Sequence, residues 1–268
     1  MRPTTPLRLI YEVERKFTPF PLSRRHLQSN TAHPHFTTIK NHGSKIMEDI
    51  YFDREDLLCE NGIWVRRRGE SPININIDGE ETLTKAIIGM AGEMEDMKIS
   101  WQAKVRKSGD RINSSFAEIH DSNEILRLLR SRFSSLANLE RIEELNVLAR
   151  IKCVRQMWRV DGKFNVVIDT TDFGHVVGEV ELEVDTEKQE IGDGDGDGDG
   201  GVGVSAAEGF IGAEGSDRDG EAQLLKNMDV EIETFMRKYL WAFPVGGKVV
   251  GKLSAYFKWL EADKGRHE

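Results

Sequence analysis

Tyr11-Glu12-Val13-Glu14-Arg15-Lys16-Phe17 is the stretch on which the reading of the whole chain turns. Side chains alternate along a β-strand, so residues two apart share a face. One face of this segment carries Glu12, Glu14 and Lys16. The other carries Tyr11, Val13 and Phe17, with Arg15 as an exception able to lay its stem along an apolar surface. Gly178-Glu179-Val180-Glu181-Leu182-Glu183-Val184 repeats the pattern, with Glu179, Glu181 and Glu183 on one face and Val180, Leu182 and Val184 on the other. Two glutamates at this spacing lie about 7 Å apart, a mildly repulsive arrangement without a cation.

Working outward, other strand-like segments place bases where these place acids. In Trp64-Val65-Arg66-Arg67-Arg68, Arg66 and Arg68 share the face of Trp64. In Trp101-Gln102-Ala103-Lys104-Val105-Arg106, Lys104 and Arg106 oppose Trp101, Ala103 and Val105. In Phe164-Asn165-Val166-Val167-Ile168-Asp169, Asp169 shares the parity of Val167. For any one strand the plain reading is a solvated charged face. Acid and base segregated by strand suggest instead a lumen, with an acidic wall for a divalent metal and a basic wall for phosphate. Mg²⁺ takes hard oxygen ligands, Arg grips phosphate with two donors, and Lys binds it as a point charge.

Composition agrees with a folded enzyme-sized chain. Its 268 residues suffice for one large domain or two small ones, and no apolar run approaches the length of a membrane helix. Residues 1–9 carry Arg2 and Arg8 but no apolar core of a secretory signal, and a strand pattern starting near Leu9 argues against a transit peptide. Cys59 and Cys153 have neither metal-type spacing nor a disulfide framework, which fits the reducing cytoplasm. The net charge of -9 is local: the segment from Glu190 to Gly220 holds nine acids against Arg218. With that segment set aside the chain is nearly neutral, which gives no basic footprint for nucleic acid.

The segment 190–220, Gly/Asp-rich, reads as a disordered acidic insertion. Its Asp193-Gly-Asp195-Gly-Asp197-Gly198 run resembles the start of a calcium loop, but Val204 stands where the bidentate Glu belongs. A second insertion covers 70–95. Helical patterns cover 122–146 and 221–240, with a shorter helix at 253–260.

These residues resemble a known family. Glu12-Val-Glu14-Arg-Lys16 matches the E-x-E-x-K signature of the CYTH superfamily, the triphosphate tunnel metalloenzymes. Two further segments are similar to its thiamine-triphosphatase branch: Trp64-Val-Arg66-Arg67-Arg68 (W-L-R-R-R) and Asp172-Phe-Gly-His-Val-Val-Gly-Glu179-Val-Glu181 (D-F-G-x-x-V-G-E-V-E). Trp101 to Lys104 (W-x-x-K), Arg155 to Trp158 (R-x-x-W) and Lys252 to Tyr256 (K-L-x-x-Y) follow in family order. The resemblance implies an α+β fold: a single domain over 7–263, an eight-stranded antiparallel β-barrel tunnel with helices packed outside. It implies Mg²⁺, replaceable by Mn²⁺, held by Glu12, Glu14, Asp169, Glu179 and Glu181. Triphosphate would be bound by Lys16, Arg66, Arg68, Lys104, Arg155 and Lys252, with Trp64 stacking on a thiamine ring. In the branch the metal-binding Asp lies two residues before Asp169, where this chain has Val167, so Asp169 is expected to substitute. Lys248 competes with Lys252 for the last basic position.

The implied reaction is hydrolysis of thiamine triphosphate to thiamine diphosphate and phosphate by a monomer, with no nucleic acid or membrane partner. Catalysis would involve Glu12, Glu14, Lys16 and Glu179, and either a second metal or a carboxylate, Glu179 or Glu12, would activate the water. His120 and His175 read as surface or packing residues, the two cysteines as inert and Trp158 as core. Alternatives are a tripolyphosphatase or nucleoside triphosphatase of the same fold, a cyclase acting on ATP, or a non-catalytic polyphosphate-binding module.

Overall fold

The structure, a computed structural model, describes residues 9–73, 97–110, 112–186, 215–244 and 248–265. The reading of the N-terminal residues 1–8, most of the 70–95 insertion, and the Gly/Asp-rich run with its calcium-loop alternative lie outside the described residues.

Eight strands close into an antiparallel barrel: β1 (Ile10–Phe17), β2 (Ile39–Asp53), β3 (Ile63–Ile73), β4 (Lys98–Gly109), β5 (Asn113–Ile119), β6 (Asn146–Val160), β7 (Phe164–Thr171) and β8 (Val176–Asp185). Their order around the wall is β1-β5-β4-β3-β2-β6-β7-β8, and β8 pairs back onto β1. The eight-stranded barrel expected from the family resemblance is therefore present. Helices α1 (Pro21–Ser29), α2 (Leu57–Glu60), α3 (Ser122–Arg132), α4 (Gly215–Lys238) and α5 (Lys252–Lys264) accompany it.

The alternation read from sequence sets which side of the wall is apolar. Val13 and Phe17 of β1, with Val180 and Leu182 of β8, pack outward against Leu225, Met228, Ile232 and Phe235 of α4. On another flank Val65, Ala103 and Val105 pack against Ile125, Leu128 and Leu129 of α3. The hydrophobic core thus lies between wall and helices, and the charged faces of the strands turn inward. Trp158 belongs to the first cluster, as expected. Arg15 lies on the outer face, where its guanidinium bridges Asp229 at 2.8 Å and Glu233 at 3.2 Å on α4. That pairing accounts for a base in an otherwise apolar row.

Two element boundaries differ from expectation. The helical pattern over 122–146 is an α-helix only to Arg132, followed by 3₁₀ turns at Ser134–Leu136 and Ile142–Glu144. Phe133, Leu136, Leu139, Ile142 and Leu145 are all buried, at a spacing of three. That period fits 3₁₀ turns and not the 3.6 of an α-helix. The α3 helix itself starts where Asp121 accepts hydrogen bonds from the Asn123 and Glu124 amides, a standard N-cap. At the other boundary, α4 begins at Gly215, inside the segment assigned to the acidic insertion. Among the described residues no helix is long and apolar enough to cross a membrane.

Gly178 of β8 pairs directly with Phe17 of β1. A Cβ at 178 would run into the Phe17 ring, which is itself wedged edge-on against Phe243 at 5.1 Å. Gly178→Ala is expected to destabilise the fold by about 1–3 kcal/mol, as overpacking does. Urea unfolding measures this, and Phe17→Leu in the same chain should recover part of the loss.

Candidate functional site

The inward faces converge on a cavity of about 600 Å³. Strand register builds its acidic side. On the β1–β8 seam Glu12 stands opposite Glu183, Glu14 opposite Glu181, and Lys16 opposite Glu179. Like charges directly across a strand pair are unfavourable, and here they are also buried: Glu12, Glu14, Glu179 and Glu181 are all below one-tenth exposed. Glu118 of β5 joins them.

Lysines offset this crowding. The Lys104 ammonium donates to Glu12 at 2.6 Å and Glu14 at 3.1 Å, and lies 3.0 Å from Glu118. Lys16 donates to Glu14 and lies 3.7 Å from Glu179. Burial would raise the Glu14 carboxyl, but Lys104 and Lys16 reverse this and hold it well below its ordinary range. Glu12 goes the other way: burial outweighs Lys104, with Glu118 and Glu14 adding repulsion, and its pKa is well above normal. Burial, opposed by Arg155 and reinforced by Glu179, pushes Glu181 up to about 7. The acidic wall therefore carries more carboxylate than its lysines neutralise.

The basic side is organised by aspartates. Arg68 of β3 donates through Nε and a terminal nitrogen to the two oxygens of Asp49, at 2.6 and 2.7 Å. Arg66 lies 3.5 Å from the same carboxylate and is held by Gln102 at 2.9 Å and the Tyr51 hydroxyl at 3.3 Å. Arg155 of β6 grips Asp169 of β7 in the same two-pronged way, at 2.8 and 2.7 Å, and reaches Glu179 at 3.4 Å. Lys252, the first residue of α5, is buried against Asp169. Lys248 is exposed, so the buried basic position belongs to Lys252.

Of the expected site residues, Glu14, Lys16, Trp64, Arg66, Lys104, Arg155, Glu179, Glu181 and Lys252 line the cavity, and Glu12, Arg68 and Asp169 lie behind that lining. Asp169 stands apart from the glutamates. Val167, not Asp169, pairs with Glu179 across the β7–β8 seam, while Asp169 pairs with Arg155 on β6. Fully buried, it is engaged by Arg155 and Lys252. Sequence reasoning missed Asp49, Glu118, Tyr51 and Gln102. Their signal was the alternation Met47-Asp49-Tyr51 and Phe116-Glu118, where a lone polar residue interrupts an apolar run.

Trp64 lines the cavity with Arg66, Arg106 and Phe116. Its ring meets Phe116 edge-on at 5.9 Å, and the Arg106 guanidinium lies over it at 4.6 Å. Leu253 and Phe257 of α5 complete an apolar stretch of the lining. His120 is exposed, as its reading as a surface residue implied, and lies 3.1 Å from Glu118. His175 bonds the Val250 carbonyl at 2.7 Å ahead of α5, and its pKa is lowered by burial.

Asp53, Asp56 and Cys59 also bring potential ligand atoms within 4.8 Å of one another. Asp53, however, accepts from the Leu58 and Cys59 amides at 2.8 and 3.0 Å, which is the work of a turn cap. Burial and Asp53 push the Cys59 thiol up to about 12, away from the thiolate a metal needs. Cys153 is likewise pushed up to about 12 by burial and Asp169.

The CYTH domain family model matches residues 11–198. The match spans well over half of the chain, and the chain belongs to the CYTH domain family. No curated protein matches it in sequence. Among solved structures, the PH1819 protein of Pyrococcus horikoshii OT3 is similar at 11% identity and a TM-score of 0.46, covering 94% of this chain and 99% of that one. The Hippeastrum protein HpAC1, described with a dominant triphosphatase activity, is 16% identical with a TM-score of 0.34, over 69% and 82% of the two chains. The RNA triphosphatase domain of a mimivirus capping enzyme is 11% identical with a TM-score of 0.31, over 68% and 84%. At these TM-scores none of the three bears on function.

Burial raises the Asp49 carboxyl, and Arg68 with Arg66 reverse this and hold it far below its ordinary value. A depressed acid contributes stability above its unfolded pKa and loses it as pH falls through the folded one. Asp49→Asn, which leaves Arg68 buried without its counter-ion, should cost about 3–5 kcal/mol at neutral pH. The gap to wild type should close as pH drops below about 4, and urea unfolding across that range measures both.

Proposed function

We propose that this chain hydrolyses a triphosphate, with a divalent metal, inside its barrel. The observation that carries the reading is the opposition of a carboxylate-crowded wall on β1, β5 and β8 to a cation-lined wall on β3, β4, β6 and α5. A ligand matching both at once is a metal–polyphosphate.

The donor chemistry fits magnesium. Glu12, Glu14, Glu179 and Glu181 offer hard oxygens in one region, where Glu14 stands opposite Glu181. These four would hold the metal. Asp169, expected as a fifth ligand, is better suited to orienting Arg155 and Lys252. Bound Mg²⁺ would supply charge neutralisation on non-bridging phosphate oxygens.

The chain's own residues supply the rest. With the glutamates engaged by a metal, the ammonium groups of Lys16 and Lys104 become free to turn to phosphate. Arg66, Arg155 and Lys252 neutralise charge that grows on the terminal and leaving oxygens. Glu179 or Glu12 accepts the proton of a water attacking the terminal phosphorus in line, and orthophosphate and the diphosphate leave. Phosphoryl transfer asks mainly for positioning and electrostatics.

The finer reading is thiamine triphosphate. It is supported by the resemblance of the segments around Trp64 and from Asp172 to Glu181, and by the place of Trp64 on the cavity lining. A second reading, tripolyphosphate or a nucleoside triphosphate, is supported by the guanidinium that already covers Trp64.

Phosphate release from thiamine triphosphate, ATP, GTP and tripolyphosphate, with Mg²⁺ and with EDTA, tests the proposal. Release that needs the metal is expected. Glu14→Gln should lower kcat by about 10² or more, since it removes transition-state charge stabilisation, and retain phosphate binding. On the thiamine reading, Trp64→Ala impairs thiamine triphosphate turnover far more than tripolyphosphate turnover. An inactive wild type that still binds polyphosphate would make the chain a binding module instead.

A further inference from the structure

Arg106 differs from the other cations of the cavity that are not exposed; Lys258 of α5, which also lines it, is exposed. Lys16, Arg66, Arg68, Lys104, Arg155 and Lys252 each lie within ion-pair distance of an Asp or Glu. Arg106 forms no ion pair with any described residue, although Asp56 and Glu60 line the same cavity. Its Nε is buried without a hydrogen-bond partner among the described residues. What holds the side chain is the Trp64 ring beneath its guanidinium and a backbone anchored by the Arg106 amide bonding the Gly62 carbonyl at 2.8 Å.

We propose that Arg106 is a specificity-determining residue for whatever group is attached to the triphosphate; this rests on the triphosphate reading of the same site. A flat ring reaches the covered face of Trp64 only by displacing the guanidinium, which forfeits the cation–π contact. If that ring is itself cationic, the displaced guanidinium stays close by in a weakly screened cavity, and the two repel. A neutral base meets only the first penalty. An inorganic triphosphate meets neither, and its oxygens can use the donors that Arg106 leaves unpaired. Arg106 therefore favours inorganic triphosphate over a neutral base, and a neutral base over a cationic ring, which sets it with the tripolyphosphate reading of the site and against the thiamine one.

The test compares Arg106→Gln, Arg106→Met and Arg106→Lys with wild type. The kcat/KM for tripolyphosphate, ATP and thiamine triphosphate is measured with Mg²⁺. The Kd of each is measured by calorimetry with Ca²⁺ in place of Mg²⁺. The readout is the ratio of thiamine triphosphate to tripolyphosphate, which cancels a general loss of phosphate affinity. The neutral variants should raise this ratio about tenfold or more, and Arg106→Lys, which keeps the charge, should hold it within about threefold of wild type. Melting curves identify a misfolded variant, and Gln and Met back each other up. An unchanged or lowered ratio in the neutral variants overturns the proposal. If wild type binds the three ligands but hydrolyses none, the hydrolase reading falls and the Kd ratios still decide the role of Arg106. A wild type that binds none of them overturns both.

Discussion

Burying charge inside a closed barrel is the constraint from which the rest of this structure follows. Glu12 and Glu14 face Glu183 and Glu181 across one seam, in a place where desolvation alone disfavours every ionised carboxylate. Charge of this kind survives only beside counter-charge. The lumen consequently has room only for a small apolar cluster, Tyr51, Ala149 and Ile151 with Trp64 and Leu253, and the chain has to build its main core elsewhere. It does so outside, where Val13, Phe17, Val180 and Leu182 meet α4 and where Val65, Ala103 and Val105 meet α3. Helices are a requirement of this barrel, since its apolar face looks outward.

The counter-charges divide into two kinds. Aspartates pair with arginines: Asp49 with Arg68 and Asp169 with Arg155, each through two parallel hydrogen bonds. A planar fork on a planar carboxylate fixes both partners. The glutamates of β1 pair instead with lysines, and one ammonium, that of Lys104, is shared among Glu12, Glu14 and Glu118. An ammonium is a compact charge on a flexible stem and exchanges partners readily. The rigid pairs can keep the basic wall in shape while the lysine–glutamate contacts give way to a metal and a phosphate.

Much of this was legible from alternation alone. A period of two with most charges on one face identifies β1, β3, β4 and β8 and says which residues share a side, because that geometry is local. What was not legible depends on partners distant in sequence. Asp49 follows Glu48 directly, and nothing local says which of the two has a buried partner until β3 brings Arg68 beside Asp49. Asp169 has the right parity for the acidic wall, but parity does not give height along the barrel. Only the β7–β8 register shows that Val167 occupies the level of Glu179. The residues from Phe133 to Leu145 misled for a different reason: a spacing of three is close enough to 3.6 to pass for an α-helix over a few turns. The expected start of α4 erred because Gly, Ser and Asp are poor helix formers, yet the helix runs through them from Gly215.

Under the proposed function, recognition of the phosphates and recognition of whatever they carry would fall to separate parts of this architecture. The cations assigned to phosphate project from barrel strands, apart from Lys252, and their counter-ions hold them in place. The region around Trp64 is completed by elements beyond the wall: Cys59 and Glu60 from α2, Leu253 and Phe257 from α5. A change at Trp64, Arg106 or Phe257 can therefore alter the shape and charge offered to an organic group while leaving the Asp49–Arg68 and Asp169–Arg155 pairs intact. Membership of the CYTH family speaks to the barrel, and under the proposed function the identity of the attached group would be decided by these few side chains at the edge of the site.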